Sequence, residues 1–243
     1  MELKICHMYP DVLNLYGDRG NVMCLTRRLR WRGIEASVTR LPIGGRLPLS
    51  GFDLVFIGGG QDFEQQVLLE DLHRGKDREI ISAIEDGVTF LTICGGFQML
   101  GSYYETYDGK RCDFIGALDL CTIGSKTRMI GNYKFQCGPD AGGSVVVGFE
   151  NHSGKTWLGS GVEPLGKVLS GFGNNGQDGT EGAHYKNVFG TYSHGPLLPK
   201  NPAFCDHLLQ TALERKYGKA KLTPLDDRAE LLAHDEMCRR LGG

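Results

Sequence analysis

The first hundred residues alternate short apolar runs with amphipathic stretches. Runs such as "DLVFI" and "TFLTI" are continuously apolar, as strands covered on both faces should be, and the stretches between them have helical spacing. In chain order, the pattern predicts a strand at 3–9, a helix at 21–32, strands at 36–41 and 53–58, helices at 64–74 and 78–87, and a strand at 89–94. Strands that alternate with helices in this way predict a parallel sheet with crossover helices.

After about residue 104 the pattern changes. As far as about residue 192, short β-rich segments are separated by glycine-rich turns, which predicts antiparallel strands that extend or flank the first sheet. A helix is predicted at 97–105. Two amphipathic helices over about 201–241 close the chain, the first stopping at Gly218 and the second following Pro224. We expect an α/β fold with these last helices on the outer face of the sheet.

The composition is that of a folded globular protein. Of the 243 residues, 40% are hydrophobic and 23% are charged, so the chain can bury a full core. No apolar run approaches the ~18 residues that cross a bilayer, and the first residues lack a basic segment followed by an apolar one. We expect a soluble, cytoplasmic protein with no transmembrane segment.

Charge and cysteine usage argue against several kinds of site. The formal net charge is -2, and the basic cluster "RRLRWR" at 27–32 has helical spacing, which favours a solvated helix face over a nucleic-acid site. None of the eight cysteines has C-x-x-C spacing, so we expect reduced thiols and no zinc site. The segment "NHSGKT" matches only the tail of a phosphate loop, because Phe149 stands where the first glycine is needed. We expect no metal and no nucleotide in this chain.

The stretch "LTICGGFQMLG" places Cys94 between a predicted strand and a pair of glycines. Glycines directly after the cysteine allow the sharp strand-to-helix turn of a nucleophile elbow, and a helix N-terminus stabilises negative charge. The alternative is an inert, buried cysteine beside glycines that serve only packing. From these residues alone both interpretations stay open.

Two further segments support a nucleophile. "DLVFIGGGQD" ends a strand in Gly58, Gly59 and Gly60, whose amides could bind an anion or could form an ordinary tight turn. A thiolate also needs a general base, and His194 in "GTYSHGPLLP" follows a β-rich segment at a Gly-Pro turn. Two histidines in polar segments are its rivals, His152 and His184, whereas the others fall in strand or helix patterns, namely His7, His73, His207 and His234.

Together, "FIGGGQD", "LTICGGFQMLG" and "YSHGP" resemble the class I (triad) glutamine amidotransferases, in particular their cobyric acid synthase-like branch. The segments "LNLYGDRGN", "VGFENHSGKT", "GFGNNGQDGTEG" and "NVFGTYSHGPLLPKNP" resemble one subgroup, the GatD-type glutaminase subunits of lipid II isoglutaminyl synthase. The resemblance covers nearly the whole chain. It implies one glutaminase domain over 1–243 with a three-layer α/β fold: a central, mostly parallel sheet flanked by helices, with antiparallel strands in the C-terminal half.

The resemblance also implies a reaction, the hydrolysis of L-glutamine. Cys94 would attack the side-chain carboxamide, the amides of Gly60 and Gly95 would bind the oxyanion, and His194 would protonate departing ammonia. A glutamyl thioester would remain for water to cleave. No metal takes part in this scheme.

Three residues match positions that contact glutamine in this family. They are Gln98, which is one helical turn past the nucleophile, Gly59, and Arg128, whose guanidinium would bind the α-carboxylate. One position departs from many class I members, because Pro196 stands where a glutamate usually follows the histidine by two residues. Either Cys94 and His194 act as a dyad or the acid comes from elsewhere, and the hypothesis at this stage is that a partner supplies it.

The implied partner is a MurT-like Mur ligase subunit in a heterodimer. It would use ATP and Mg²⁺ to activate the D-glutamate α-carboxylate of lipid II, which ammonia would convert to D-isoglutamine. This chain would hold no cofactor and would meet the inner face of the membrane only through the lipid-linked substrate. Two alternatives stay open: a cobyric acid synthase-like amidotransferase with another carboxylate acceptor, and a non-catalytic glutamine-binding regulatory subunit.

Overall fold

Two sheets form the frame of the chain in a computed structural model, which describes residues 1–60 and 62–242, and of residues 62–66 the backbone alone. The strands are β1 (Glu2–Met8), β2 (Glu35–Leu41), β3 (Leu54–Ile57), β4 (Thr89–Ile93), β5 (Tyr103–Glu105), β6 (Arg111–Asp113), β7 (Leu120–Cys137), β8 (Val145–Leu158), β9 (Gly166–Ser170), β10 (Thr180–Glu181), β11 (Ala183–Tyr185) and β12 (Val188–Thr191). The α-helices are α1 (Arg19–Trp31), α2 (Asp62–Asp71), α3 (Asp77–Glu85), α4 (Gly95–Gln98), α5 (Pro202–Tyr217) and α6 (Arg228–Arg240).

The first sheet has the strand order β11-β12-β4-β3-β1-β2. All of its pairs are parallel except β11 with β12. Every residue of β3, β4 and β12 is buried, as their continuous apolar runs require of strands covered on both faces. The predicted parallel sheet is therefore confirmed, and the carboxyl ends of β3, β4 and β12 meet at one edge.

The second sheet is built on the long antiparallel pair of β7 and β8. β9 pairs antiparallel with β7, β10 with β9, and β6 with β5, whereas β5 runs parallel to β7. The pairing of β7 with β8 is interrupted by a bulge between Gly124 and Met129. This sheet confirms the antiparallel strands predicted for the C-terminal half.

The helix predicted at 97–105 is wrong. Helix α4 ends at Gln98, and Tyr103 already belongs to β5. The chain turns away because Gly101 packs against β7, where a Cβ on it would lie 2.3 Å from a methyl carbon of Leu120. Ser102 then donates its amide proton to the Leu120 carbonyl over 2.8 Å. Pairing with β7 thus overrides the local apolar spacing.

The C-terminal helices differ in how they pack. Helix α5 buries one face, which includes Phe204, Leu208 and Leu213, and it contacts β4 and α1. Helix α6 has no buried residue and lies against β8 and the turn that precedes α5. All eight cysteines are free thiols, as the sequence predicted.

The basic cluster at 27–32 is only partly a solvated helix face. Arg28 is buried and donates hydrogen bonds to Asp206 on α5 and to Asp227 at the start of α6. Arg32 also reaches Asp206 and donates to the Thr223 carbonyl over 2.6 Å. The expectation was wrong for these two arginines because the carboxylates that pair with them lie far along the chain.

Candidate active site

Cys94 occupies a sharp turn at the end of β4. Its backbone has φ 47° and ψ −107°, a conformation that L-residues adopt only when the surrounding structure enforces it. Gly96 permits this turn, since a Cβ there would lie 2.6 Å from the Gly58 carbonyl oxygen. The amide of Cys94 donates to the Thr191 carbonyl of β12 over 2.8 Å. The predicted strand-to-helix elbow is therefore present, with the thiol at the carboxyl edge of the sheet.

His194 reaches the same edge from the neighbouring strand. β12 lies parallel to β4 and ends at Thr191, three residues before the histidine. The amide of His194 donates to the Phe149 carbonyl of β8 over 2.8 Å, which fixes the backbone after the strand. The ring is fully buried, and it packs so closely on Gly59 that a Cβ there would lie 2.6 Å from its Cε1 atom. Glycine at position 59 is thus a steric requirement of the histidine.

A carboxylate that the sequence pattern did not reveal faces the ring. Asp18 lies just before α1 and is fully buried, with Oδ1 3.8 Å from His194 Nδ1 and Oδ2 accepting the Gly59 amide proton over 2.6 Å. The first contact is longer than a hydrogen bond, and neither ring nitrogen of His194 has a hydrogen-bond partner in the part of the chain that the structure describes. Only the segment "LYGDRGN", noted for its resemblance, pointed to this position.

The surroundings of His194 favour its protonated form. Burial lowers the pKa of the ring, but the Cys94 sulfur and the Asp18 carboxylate raise it more, to about 10. A protonated ring places a positive charge beside the sulfur. That charge stabilises an attacking thiolate, and the proton is available to a leaving group.

The glycine loop offers amides for an oxyanion, and one of them is already engaged. Gly59 gives its amide proton to Asp18. The amides of Gly60 and Gly95 donate no hydrogen bond to any residue that the structure describes. Gly95 directly follows the nucleophile, where the first oxyanion donor usually stands. Among the described residues, nothing occupies the two amides named by the resemblance, so both are available to an oxyanion.

Gln98 and Arg128 differ in burial and in the side chains that they contact. Gln98 is buried, and its Nε2 donates to the Tyr192 hydroxyl over 2.9 Å. Arg128 is exposed in the bulge of β7, and its Nε donates to the Asn151 side-chain oxygen. Asn151 in turn donates to the Tyr16 hydroxyl. The Tyr16 ring packs edge-on against His194, so the arginine is linked to the catalytic edge through two side chains.

Neither rival histidine takes the place of His194. The His152 ring stacks on Tyr192 at 3.6 Å, and its Nδ1 pairs with the Gly154 carbonyl over 2.7 Å. His184 pairs through its backbone with Glu163 and lines a separate cavity of about 730 Å³. Both histidines therefore have structural surroundings of their own.

A buried acid that the sequence did not indicate holds the segment before His194. Glu181 Oε1 accepts hydrogen bonds from the Thr191 hydroxyl over 2.6 Å, the Tyr192 amide over 2.9 Å and the Tyr133 hydroxyl over 2.9 Å. Burial raises the pKa of this carboxyl to about 7, with a further contribution from Glu150. Glu181 thus fixes two residues that lead directly to the histidine.

The described residues contain no cluster of three or more histidine, cysteine or acidic side chains that could hold a metal ion. Among the same residues, no helix combines the length and the apolar character needed to cross a bilayer.

Solved structures with the same fold include PurLQS from Thermotoga maritima and the glutaminase domain of Trypanosoma brucei CTPS. The first has a TM-score of 0.55 at 16% identity, over 88% of this chain and 99% of that one. The second has a TM-score of 0.55 at 11% identity, over 91% of this chain and 96% of that one. At these identities the likeness concerns the fold alone, and it confirms the predicted α/β architecture.

Sequence comparisons give closer relatives. Subunit GatD of the glutamine-hydrolyzing lipid II isoglutaminyl synthase from Staphylococcus aureus is 41% identical over 98% of this chain and 96% of its own length. The same subunit from Streptococcus pneumoniae is 39% identical over 90% of this chain and 83% of its length. A probable cobyric acid synthase from Methanoregula boonei is 34% identical over 77% of this chain but only 37% of its own length. Residues 4–202 match the CobB/CobQ-like glutamine amidotransferase domain, and the chain belongs to that family.

Proposed function

We propose that this chain is the glutaminase subunit of a lipid II isoglutaminyl synthase. The observation that carries the proposal is the placement of two residues at one edge of the sheet: Cys94, on a strained turn after β4, and His194, after the adjacent parallel strand β12. Two relatives that match this chain over most of its length are subunits of such a synthase. The cobyric acid synthase-like alternative is less well supported, because the chain covers little more than a third of that relative.

The reaction begins with attack of the Cys94 sulfur on the carboxamide carbon of glutamine. The amides of Gly60 and Gly95 stabilise the oxyanion of the tetrahedral intermediate, and His194 gives its proton to the nitrogen as the carbon–nitrogen bond breaks. Ammonia leaves, and a glutamyl thioester remains on the sulfur. The now neutral ring takes a proton from water, whose oxygen attacks the thioester. Glutamate then leaves and restores the thiolate beside a protonated ring.

The substrate contacts follow the family pattern. Arg128 binds the α-carboxylate of glutamine, because a guanidinium can donate two parallel hydrogen bonds to it. Gln98 and Gly59 line the site next to the nucleophile and the histidine. Asp18 holds the charged imidazole in place from the Nδ1 side, the task that a third triad member performs.

The ammonia acceptor lies on a partner. We propose a MurT-like Mur ligase subunit that binds ATP and Mg²⁺ and activates the D-glutamate α-carboxylate of lipid II, so that ammonia yields D-isoglutamine. The relatives are named as subunits, which supports the existence of a partner subunit. We further propose that the two chains form a heterodimer in the cytoplasm that reaches the membrane through its lipid-linked substrate.

Covalent labelling tests the first half of this proposal. An electrophilic glutamine analogue such as 6-diazo-5-oxo-norleucine should add its mass to Cys94 of the native chain, and the Cys94→Ala variant should neither react nor release ammonia from glutamine. Cys112→Ala, which alters a partly exposed cysteine on β6, is the matched control and should behave like the native chain. Absence of both adduct and ammonia, with the partner present, would favour a regulatory glutamine-binding subunit.

Isotope transfer tests the second half. The chain and its co-purified partner should move ¹⁵N from the side-chain amide of glutamine into lipid II in the presence of ATP and Mg²⁺. Transfer to a corrinoid carboxylate instead would favour the cobyric acid synthase-like alternative.

A further inference from the structure

The turn before α1 contacts His194 through two side chains. Tyr16 has φ 54° and Gly17 φ 78°, and these two left-handed residues bring the Tyr16 ring and the Asp18 carboxylate next to the imidazole. The ring lies edge-on to His194, with centroids 5.0 Å apart, and edge-on to Phe149 at 5.5 Å. Because the ring is 42% exposed, it forms the rim between the buried histidine and solvent.

The Tyr16 hydroxyl is tied to the residue proposed to bind the α-carboxylate. It accepts a hydrogen bond from the Asn151 amide nitrogen, while the Asn151 oxygen accepts one from Arg128 Nε. Asn151 lies two residues after Phe149 on β8, so one strand supports both the ring and the arginine. Phe149 also accepts the His194 amide proton. Strand β8 thus contacts all three residues: His194, Tyr16 and Arg128.

The geometry of Arg128 suits a carboxylate that arrives from outside. It is the last residue of the bulge, immediately before Met129 resumes its pairing with β8, and bulges re-aim side chains. Asn151 occupies Nε and fixes the plane of the guanidinium, which leaves the two terminal nitrogens to bind a carboxylate in a fork. No acidic side chain of the described residues forms an ion pair with Arg128.

We propose that Asn151 and Tyr16 are positioning residues that make the site specific for amides bearing an α-carboxylate. They act through Arg128, because their contacts fix the position of its guanidinium relative to His194. A long arginine side chain in a bulge would otherwise sample many rotamers, and the entropy of ordering it would weaken binding. This inference rests on the proposed glutaminase activity.

The test compares two substrates in the chain purified together with its partner. L-Glutamine carries the α-carboxylate, whereas L-glutamine α-amide carries a neutral carboxamide there. Asn151→Ala should raise KM for glutamine about tenfold with little change in kcat, because the guanidinium is no longer held in place before glutamine binds. Its kcat/KM for the α-amide should stay near the native value. Tyr16→Phe, which removes only the hydroxyl, should show the same selective effect with a smaller rise of about threefold.

A matched control lies on the same strand, outside the bulge. Asn132 is exposed on β7 and its side chain forms no hydrogen bond with the described residues, so Asn132→Ala should leave both substrates unaffected. If Asn151→Ala lowers kcat/KM equally for glutamine and its α-amide, or changes neither, the inference is wrong. If the native complex hydrolyses neither substrate, the proposed function itself fails, and that result is distinct because it does not depend on any variant.

Discussion

His194 Nδ1 lies 3.8 Å from Asp18 Oδ1, and the other oxygen of that carboxylate accepts the Gly59 amide proton. The carboxylate is thus near enough to stabilise a charged imidazole but does not hydrogen-bond to it. Pro196 follows His194 by two residues, so no carboxylate comes from that position, and we propose Asp18 as the acid that this chain itself provides. We interpret Cys94, His194 and Asp18 as a triad. The distance between Asp18 and His194 is too long for a hydrogen bond and should shorten when a partner or a substrate binds.

Asp18→Asn should lower kcat for glutamine roughly 100-fold, because the neutral amide cannot stabilise the imidazolium. The carboxylate raises the His194 pKa, so its removal lowers that pKa. The alkaline limb of the pH–rate profile, where the ring loses its proton, should therefore move to lower pH. Measurement of kcat against pH in the variant and native complexes checks both effects. Full activity of the Asp18→Asn complex would instead mean that the acid comes from the partner.

Complex formation should raise glutaminase activity strongly. In the isolated chain, no described residue is hydrogen-bonded to the His194 ring, and Asp18 Oδ1 lies 3.8 Å from it. Docking of the synthetase subunit should either close this distance or bring a second carboxylate, and the expected gain is at least about tenfold in kcat. Titration of the chain with its purified partner, with ammonia release as readout, measures the gain. Equal rates for the isolated chain and the complex would refute the idea that the partner completes the site.

The apolar runs before Cys94 and His194 predicted strands that end at one sheet edge, and the structure places both residues there. The residues alone left an inert cysteine and two rival histidines open, and only the family resemblance selected this pair. Asp18 and Tyr16 escaped prediction because they lie in an irregular turn with no periodicity, and their contact with His194 depends on how that turn packs on Gly59. The ion pairs of Arg28 were missed for a similar reason, since both acidic partners lie more than 170 residues away.

Gly59→Ala should abolish glutaminase activity. A Cβ at this position would lie 2.6 Å from His194 Cε1 and 3.1 Å from Asp18 Oδ2, so ring and carboxylate must both move. We expect a loss of about 1–3 kcal/mol in the free energy of unfolding from this overpacking. Gly51→Ala is the control, because a Cβ there meets no atom within 4 Å. Denaturant titration and ammonia release on both variants check the prediction, and native activity in Gly59→Ala would contradict it.

Arg28→Met should destabilise the chain by about 3 kcal/mol, because removal of the buried arginine leaves Asp227 without its ion-pair partner and Asp206 with Arg32 alone. The Arg28 side chain is 2% exposed and pairs with Asp206 and Asp227. Methionine keeps most of the apolar volume, so the effect isolates the charge. Arg27→Met, one residue earlier on the exposed face of α1, should change stability by less than about 0.5 kcal/mol. Equal effects of the two substitutions in urea unfolding would contradict this interpretation of the cluster.

Glu181→Gln should make the chain more stable at pH 8 and leave its stability at pH 4.5 nearly unchanged. Burial raises the pKa of Glu181 from the ordinary 4.5 to about 7, so the folded state holds a proton that the unfolded state releases between these values. Stability is therefore lost as pH rises from 4.5 to 7, by on the order of 3 kcal/mol. Glutamine mimics the protonated carboxyl and removes this loss.

Urea unfolding of the native chain and the Glu181→Gln variant at pH 4.5, 6, 7 and 8 measures the effect, and the difference between them should grow up to about pH 7 and then level off. Glu163→Gln is the control, because this exposed glutamate forms only backbone hydrogen bonds with His184. A difference that does not depend on pH would mean that Glu181 is ionised throughout, held so by the three hydrogen bonds to Oε1. In that case Glu181 would hold Thr191 and Tyr192 in place at every pH tested, and it would not contribute to the pH dependence of folding.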